Sequence, residues 1–287
     1  ISQIIRIYDW NGATWSLSDS ITNDYPTQTN DGFGADISFS GDGNRLSVVS
    51  DYAKPLDGSS TLDVGNVRVF ERNGTSWNMI GNIIEGGGYH AKASLSYDGS
   101  TLIYSKEASS QNASSLSSYD DTRVFKLNNS IWQQIGSLPT ATTSGRPAID
   151  SAGNRIILSD KVMDWDGSSW NQAGTTFSDI IKGISYDGNN IVLLSCNGFK
   201  IMDWNGTQWL NSQSTANGYI PTTYTNSAHG NINLATCIGI SGGGQSNEAQ
   251  RSSFSGNASS FAVSSVYHGN AHGITLLYNK FNNSWQQ

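Results

Sequence analysis

The sequence is short of charge, glutamate, cysteine and long apolar runs, and each shortage excludes something. Asp, Glu, Lys and Arg make up 14 % of its 287 residues, against about a quarter in an average soluble protein. Only four glutamates occur (Glu71, Glu85, Glu107, Glu248) and good helix formers do not recur at helical spacing, which excludes a helical bundle. Sixteen Lys and Arg against 23 Asp and Glu leave a net charge of −7 and a pI near 4.9. General nucleic-acid binding needs a basic face, and none is offered. No stretch of 18 apolar residues is present, so no helix of this chain is expected to cross a membrane. The two cysteines, Cys196 and Cys237, match no zinc spacing; a disulfide between them and two separate buried thiols both stay open.

Catalytic and cofactor signatures are equally scarce. There is no Gly-x-Ser-x-Gly elbow and no His-Glu-x-x-His, and Gly242-Gly243-Gly244 lacks the lysine and following helix of a phosphate loop. The histidines are His90, His229, His268 and His272; the last two form a pair without a third ligand nearby, so no metal or cofactor is expected.

What is abundant points the other way. Serine, asparagine and glycine together supply 103 residues, yet aromatics reach 10 %, with nine tryptophans. A disordered low-complexity tract lacks such core-forming rings. Turn formers among aromatics and β-branched residues predict many short strands.

Two kinds of hairpin alternate along the chain. The first sets tryptophan after a Gly, Asn or Asp turn. It appears at Tyr8-Asp9-Trp10-Asn11-Gly12-Ala13-Thr14-Trp15, at Phe70 to Trp77, at Leu127 to Trp132, at Trp165 to Trp170, at Trp204 to Trp209, and at Phe281 to Trp285. The second reads apolar-Ser, then Asp-Gly, then an alternating, half-buried apolar strand, as in Ile37-Ser38-Phe39-Ser40-Gly41-Asp42-Gly43-Asn44-Arg45-Leu46 and Leu95 to Leu102, with looser copies at Gly153, Gly188 and Gly256. Asn-Gly and Asp-Gly between apolar residues are strong hairpin signals, because primed turns need positive φ. Links as short as Ser159-Asp160-Lys161-Val162 force antiparallel neighbours, since a parallel return needs a dozen residues or more.

Each unit is therefore a four-stranded antiparallel meander. The tryptophan spacings of 62, 55, 38, 39 and 76 residues suit four strands plus turns and loops, the signature of a β-propeller. The expected fold is all-β: five full four-stranded blades plus an N-terminal half blade, in a five- or six-bladed ring. Residues 1–287 read as one propeller domain cut from a longer chain, with 1–21 as the half blade and 210–251 as a long inter-blade insertion. A half blade leaves a strand edge unpaired. Either cropping of the sequence, closure without the missing strands, or strand addition from a neighbouring subunit would resolve it.

The run from Phe33-Gly34-Ala35 through Asp42-Gly43-Asn44-Arg45-Leu46, then Gly65-Asn66-Val67-Arg68-Val69-Phe70 and Asn73-Gly74-Thr75-Ser76-Trp77, resembles the FG-GAP-like (integrin-α-type) propeller repeats of secreted and surface proteins. The resemblance is clearest from 33 to 106 and implies display and adhesion rather than chemistry. Many such repeats hold calcium in an Asp-x-Asp-x-Asp-Gly loop; no such run occurs here.

The enzymatic rival is a glycoside-cleaving propeller. The nearest form of its Ser-x-Asp-x-Gly-x-x-Trp box is Asp9 to Trp15, one residue too long between Asp and Gly and lacking the serine, and no pair of carboxylates stands out as acid and base. No catalytic residue is assigned. The tryptophans Trp10, Trp15, Trp77, Trp132, Trp165, Trp170, Trp204, Trp209 and Trp285 read as structural pins of the hairpins; where exposed, they could stack on sugars. Asn-x-Ser/Thr sequons stand at Asn73, Asn112, Asn128, Asn205, Asn257 and Asn282, four of them on tryptophan-hairpin turns, where glycans would line one rim. The expectation is a non-enzymatic, secreted or surface-exposed module of an adhesive assembly or fibre. It would associate with itself or neighbouring subunits. A carbohydrate-binding propeller is the alternative.

Overall fold

The computed structural model describes residues 3–24, 31–59, 63–86, 91–105, 122–139, 147–195, 198–212, 223–226, 230–233, 251–254, 260–265, 274–281 and 284–286. Every regular element among them is a strand. The first two, β1 (Ile4–Trp10) and β2 (Trp15–Thr22), form a two-stranded sheet. Five four-stranded sheets follow. They are β3 (Phe33–Phe39), β4 (Arg45–Ser50), β5 (Asn66–Asn73) and β6 (Ser76–Glu85); β7 (Lys92–Leu95), β8 (Thr101–Ser105), β9 (Thr122–Asn128) and β10 (Ile131–Gln134); and β11 (Ala148–Ile149), β12 (Arg155–Leu158), β13 (Lys161–Trp165) and β14 (Trp170–Gln172). The fourth comprises β15 (Ile180–Ile184), β16 (Asn190–Ser195), β17 (Gly198–Trp204) and β18 (Trp209–Asn211). After a two-stranded pair, β19 (Thr223–Asn226) and β20 (Gly230–Asn233), the last comprises β21 (Arg251–Phe254), β22 (Ser260–Ser265), β23 (Ile274–Phe281) and β24 (Ser284–Gln286).

Each four-stranded sheet keeps its strands in chain order, the meander expected from the short links. The fold is all-β and built of propeller-type blades. The expected alternation of buried and exposed positions fails in the second strand of a sheet: β4 and β8 are buried almost along their whole length. A strand covered on both faces reads as a continuous apolar run, not an alternating one.

The chain divides into two compact units, 1–154 with 165–170, and 155–164 with 171–287. In the first, Val49, Val67, Val69, Leu102 and Tyr104 build one apolar cluster with Trp132. A second gathers Ile7 and Ile21 of the first hairpin with Phe33, Leu46, Val48, Phe70 and Trp77. In the second unit Ile156, Val162, Ile191, Phe199 and Ile201 are fully buried.

Candidate functional site

The turns come first, because they absorb most of the polar groups that chemistry would need. In the Asp-Gly hairpins the preceding serine is a keystone. Ser40 is buried, its hydroxyl donates to the Asp42 carboxylate at 2.6 Å, and it accepts from the Arg45 amide at 2.9 Å. Ser96 with Asp98 and Thr101, and Ser185 with Asp187 and Asn190, repeat the arrangement. Gly43, Gly99 and Gly188 supply the positive φ, at 72°, 65° and 74°.

In three tryptophan hairpins the Asn or Asp acts by its side chain rather than by a left-handed backbone. Asn11 Oδ1 accepts from the Ala13 and Thr14 amides, Asp166 Oδ1 from Ser168 and Ser169, and Asn205 Oδ1 from Thr207 and Gln208. The turn of Asn129 and Ser130, both at positive φ, has the backbone of a primed two-residue loop, and the two-residue Gly74–Thr75 loop places its first residue, a glycine, at a φ of 64°.

These bonds fix the charge state of the carboxylates. At Asp42, Asp98 and Asp187 burial pushes the carboxyl up, but hydrogen bonds from the serines and from turn amides outweigh it and hold each below the ordinary value. The backbone amides of Ser169 and Ser168, followed by their hydroxyls, hold Asp166 far below it. A hydrogen bond from Arg72 does the same for Asp9. A general acid needs a carboxyl pushed upward; these five are pushed the other way.

The tryptophans form the second repeated system. Trp10/Trp15, Trp165/Trp170 and Trp204/Trp209 pair across their hairpins with ring centroids 5.4, 5.2 and 5.0 Å apart and interplanar angles of 48°, 47° and 46°. The tryptophan opening the fourth strand also reaches the preceding sheet. The indole N–H of Trp132 donates to the Ile80 carbonyl at 3.2 Å, that of Trp170 to Ile135 at 3.1 Å, and that of Trp209 to Ala173 at 3.0 Å. The next residue is each time a glycine at positive φ. A Cβ added at Gly81 would lie 2.4 Å from Trp132, at Gly136 2.8 Å from Trp170, and at Gly174 2.9 Å from Trp209. The ring thus lies directly on a backbone with no side chain, which only glycine allows.

Trp77 departs from this pattern. Its amide donates to the Asp19 carboxylate at 2.8 Å, as the Trp132 amide does to Asn82 Oδ1 at 2.7 Å, but its indole nitrogen is buried without a hydrogen-bond partner. Trp77, Trp132, Trp170 and Trp209 are all buried, whereas Trp10 and Trp15 are 53 % and 66 % exposed. The side chain of Trp285 lies outside the described residues.

Of the sequons, Asn73, Asn128 and Asn205 are exposed on hairpin turns. Asn112, Asn257 and Asn282 lie outside the described residues, as do Cys196, Cys237 and all four histidines. Among the described residues no group of three His, Cys, Asp or Glu is placed to hold a metal ion.

Sequence reasoning missed one polar centre. Arg68, 1 % exposed, pairs with the fully buried Asp31 at 3.4 Å, donates to Asn23 Oδ1 and Ser50 Oγ at 2.9 Å, and lies 4.4 Å from the Phe33 ring centre. It ties the exit of β2 to the first four-stranded sheet. Its local signal, one arginine in Asn66-Val67-Arg68-Val69, looks like an ordinary solvent-facing strand position.

No protein-family model matches the chain, and no curated protein matches its sequence. Solved structures do match in shape. A functionally unknown protein from Desulfotomaculum acetoxidans is 13 % identical with a TM-score of 0.54, over 99 % of this chain and 74 % of its own. A protein from Lactobacillus plantarum is 11 % identical with a TM-score of 0.51, over 100 % and 82 %. A structure from a study of two prolyl endopeptidases is 10 % identical with a TM-score of 0.50, over 99 % of this chain and 38 % of its own. At such identities the likeness concerns the fold alone, and with the meander sheets it places the chain among β-propellers.

Proposed function

We propose that this chain is a non-enzymatic, extracellular β-propeller that serves as a structural and adhesive module of a surface assembly. The observation that carries the reading is where the polar groups go. The serines and carboxylates of the repeated turns are spent on closing those turns, and Asp42, Asp98, Asp166 and Asp187 are held ionised there. That leaves a rigid scaffold displaying exposed turns and loops. The FG-GAP-like run from 33 to 77 supports the same reading, and the exposed Asn73, Asn128 and Asn205 would carry glycans on the tryptophan-hairpin rim. Assembly would proceed through the two-stranded β1–β2 sheet, whose edge can accept a strand from a neighbouring subunit.

The exposed Trp10/Trp15 pair favours a second reading, a carbohydrate-binding propeller in which the rings stack on sugars. Incubation with a glycan panel, following both binding and release of reducing sugar, separates the readings. A structural module neither binds saturably nor releases sugar; it self-associates. Saturable binding abolished by Trp15→Ala would establish the lectin, and turnover abolished by a single carboxylate change a glycoside hydrolase.

A further inference from the structure

Four of the tryptophan hairpins are written alike. Asn11-Gly12-Ala13-Thr14-Trp15, Asn73-Gly74-Thr75-Ser76-Trp77, Asp166-Gly167-Ser168-Ser169-Trp170 and Asn205-Gly206-Thr207-Gln208-Trp209 each set Asn or Asp before glycine and close on tryptophan. Three of them also fold alike. Asn11, Asp166 and Asn205 turn Oδ1 onto the amides two and three residues on, at 2.8–3.0 Å. Their glycines lie at φ of 97°, 101° and 100°. The Thr207 hydroxyl also donates to Asn205 Oδ1 at 3.0 Å, and Asn11 Nδ2 donates to Thr14 Oγ1 at 3.2 Å.

Asn73 is the exception. It is the last residue of β5 and faces Ser76 in the ladder, so Gly74 and Thr75 alone form the loop. Gly74 lies at φ 64°. Arg72 stands where the other three hairpins have a tryptophan, and its Nε donates to the Gly74 carbonyl at 2.9 Å. Among the described residues the exposed Asn73 side chain makes no hydrogen bond.

That difference bears on chemistry. Asparagine is a thermolabile residue, and before glycine its Cγ is easily reached, because no Cβ shields the following amide. The Gly74 nitrogen loses its proton to solvent and attacks Asn73 Cγ. The bond from Cγ to Nδ2 breaks, and ammonia leaves with a proton from solvent. The product is a five-membered succinimide, and water opens either of its carbonyls to give aspartate or isoaspartate. One water enters, one ammonia leaves, and nothing is oxidised or reduced. A capped asparagine must first give up its Oδ1 bonds to bring Cγ onto that nitrogen. Two amide bonds lost slow the attack by on the order of tenfold, and Asn73 has none to lose.

We infer that Asn73 is a self-modification site, converting to aspartate and isoaspartate while Asn11 and Asn205, in the same sequence motif, stay intact. The conversion erases the Asn73 sequon and adds a carboxylate two residues from Glu71. Isoaspartate also adds one carbon to the backbone beside a two-residue loop, which opens the Asn73–Ser76 pair. A glycan on Nδ2 would load the leaving group and slow the route. The inference goes beyond the adhesive reading and does not depend on it. Asn197 and Asn217 also precede glycine and lie outside the described residues.

The test is prolonged incubation of the whole chain, made in a bacterial host so that Asn73 is bare, at mildly alkaline pH and body temperature. Peptide mass mapping then follows each Asn-Gly pair, and enzymatic methylation of isoaspartate counts the isomer. The Asn73 peptide should gain one mass unit and split into two isomers, on the order of tenfold faster than the Asn11 and Asn205 peptides. In urea the three rates should converge, because the motif is the same and the caps are gone. Asn73→Gln should remove most of the early isoaspartate signal from these three sites with near-ultraviolet dichroism unchanged. Equal rates in the folded chain would overturn the inference. So would a rate ratio that persists in urea, which would trace the difference to neighbouring residues and not to the turn.

Discussion

The hairpins at Trp10–Trp15 and Trp204–Trp209 are near-copies. Both close a four-residue loop in which an asparagine side chain caps two amides, and both stack their rings at about the same distance and tilt, 5.4 Å and 48° against 5.0 Å and 46°. Yet Trp15 is 66 % exposed and Trp209 is 8 % exposed. The local code sets the geometry of the pair. Whether the pair is core or surface depends on a second sheet that supplies a carbonyl and a bare glycine backbone, as Ala173 and Gly174 do for Trp209. One motif thus serves as a packing element in one place and as a free face in another.

The sharpest way to break this comparison is to truncate both rings. Trp209→Ala removes a buried ring and orphans a carbonyl, and should cost about 3–5 kcal/mol in urea unfolding. Trp15→Ala should cost about 1 kcal/mol or less, the worth of its contact with Trp10. Equal losses would mean that the first hairpin is covered in solution.

The glycines give the next contrast. Gly136→Ala forces a Cβ to within 2.8 Å of Trp170 at φ +62° and should cost about 2–3 kcal/mol. Gly206→Ala, in open space at φ +100°, should cost only the backbone strain, about 1 kcal/mol.

Smaller again is the serine pair. Ser96→Ala leaves the Thr101 amide without its acceptor in a buried turn and should cost about 1–2 kcal/mol. Ser169→Ala, on an exposed turn that keeps its backbone bonds to Asp166, should stay within about 0.5 kcal/mol.

The mildest effect is that of pH. Asp42, Asp98, Asp166 and Asp187 have folded values below the ordinary one, so the folded state binds fewer protons than the unfolded state in acid. Their contribution is fully present above the unfolded carboxyl value of about 3.9 and fades as pH falls through the folded values. Thermal melting should therefore change little from pH 7 to about pH 5 and decline below about pH 4. A melting temperature that rises on acidification would contradict the turn assignments.

Much of the fold was legible because its signals are local. Six tryptophan hairpins and five Asp-Gly hairpins, read from turn residues and apolar flanks, correspond to the observed strand pairs from β1–β2 to β23–β24. The pattern at Ser40, Ser96 and Ser185 was visible as well, but its role was not, since a serine becomes a keystone only once the turn folds back on its hydroxyl. Arg68 was illegible for a different reason. Asp31, Asn23 and Ser50 are distant in sequence, and nothing in the neighbourhood of residue 68 announces them.

The sequence by itself determined the strands, their antiparallel order, the turn geometry and the pairing of the rings, since all of these follow from interactions over a few residues. The tertiary structure alone decided which faces are covered. Trp15 and Trp209 close near-identical hairpins, yet one is 66 % exposed and the other 8 %. Burial depends on the presence of a neighbouring sheet, which no property of the residue or its strand encodes.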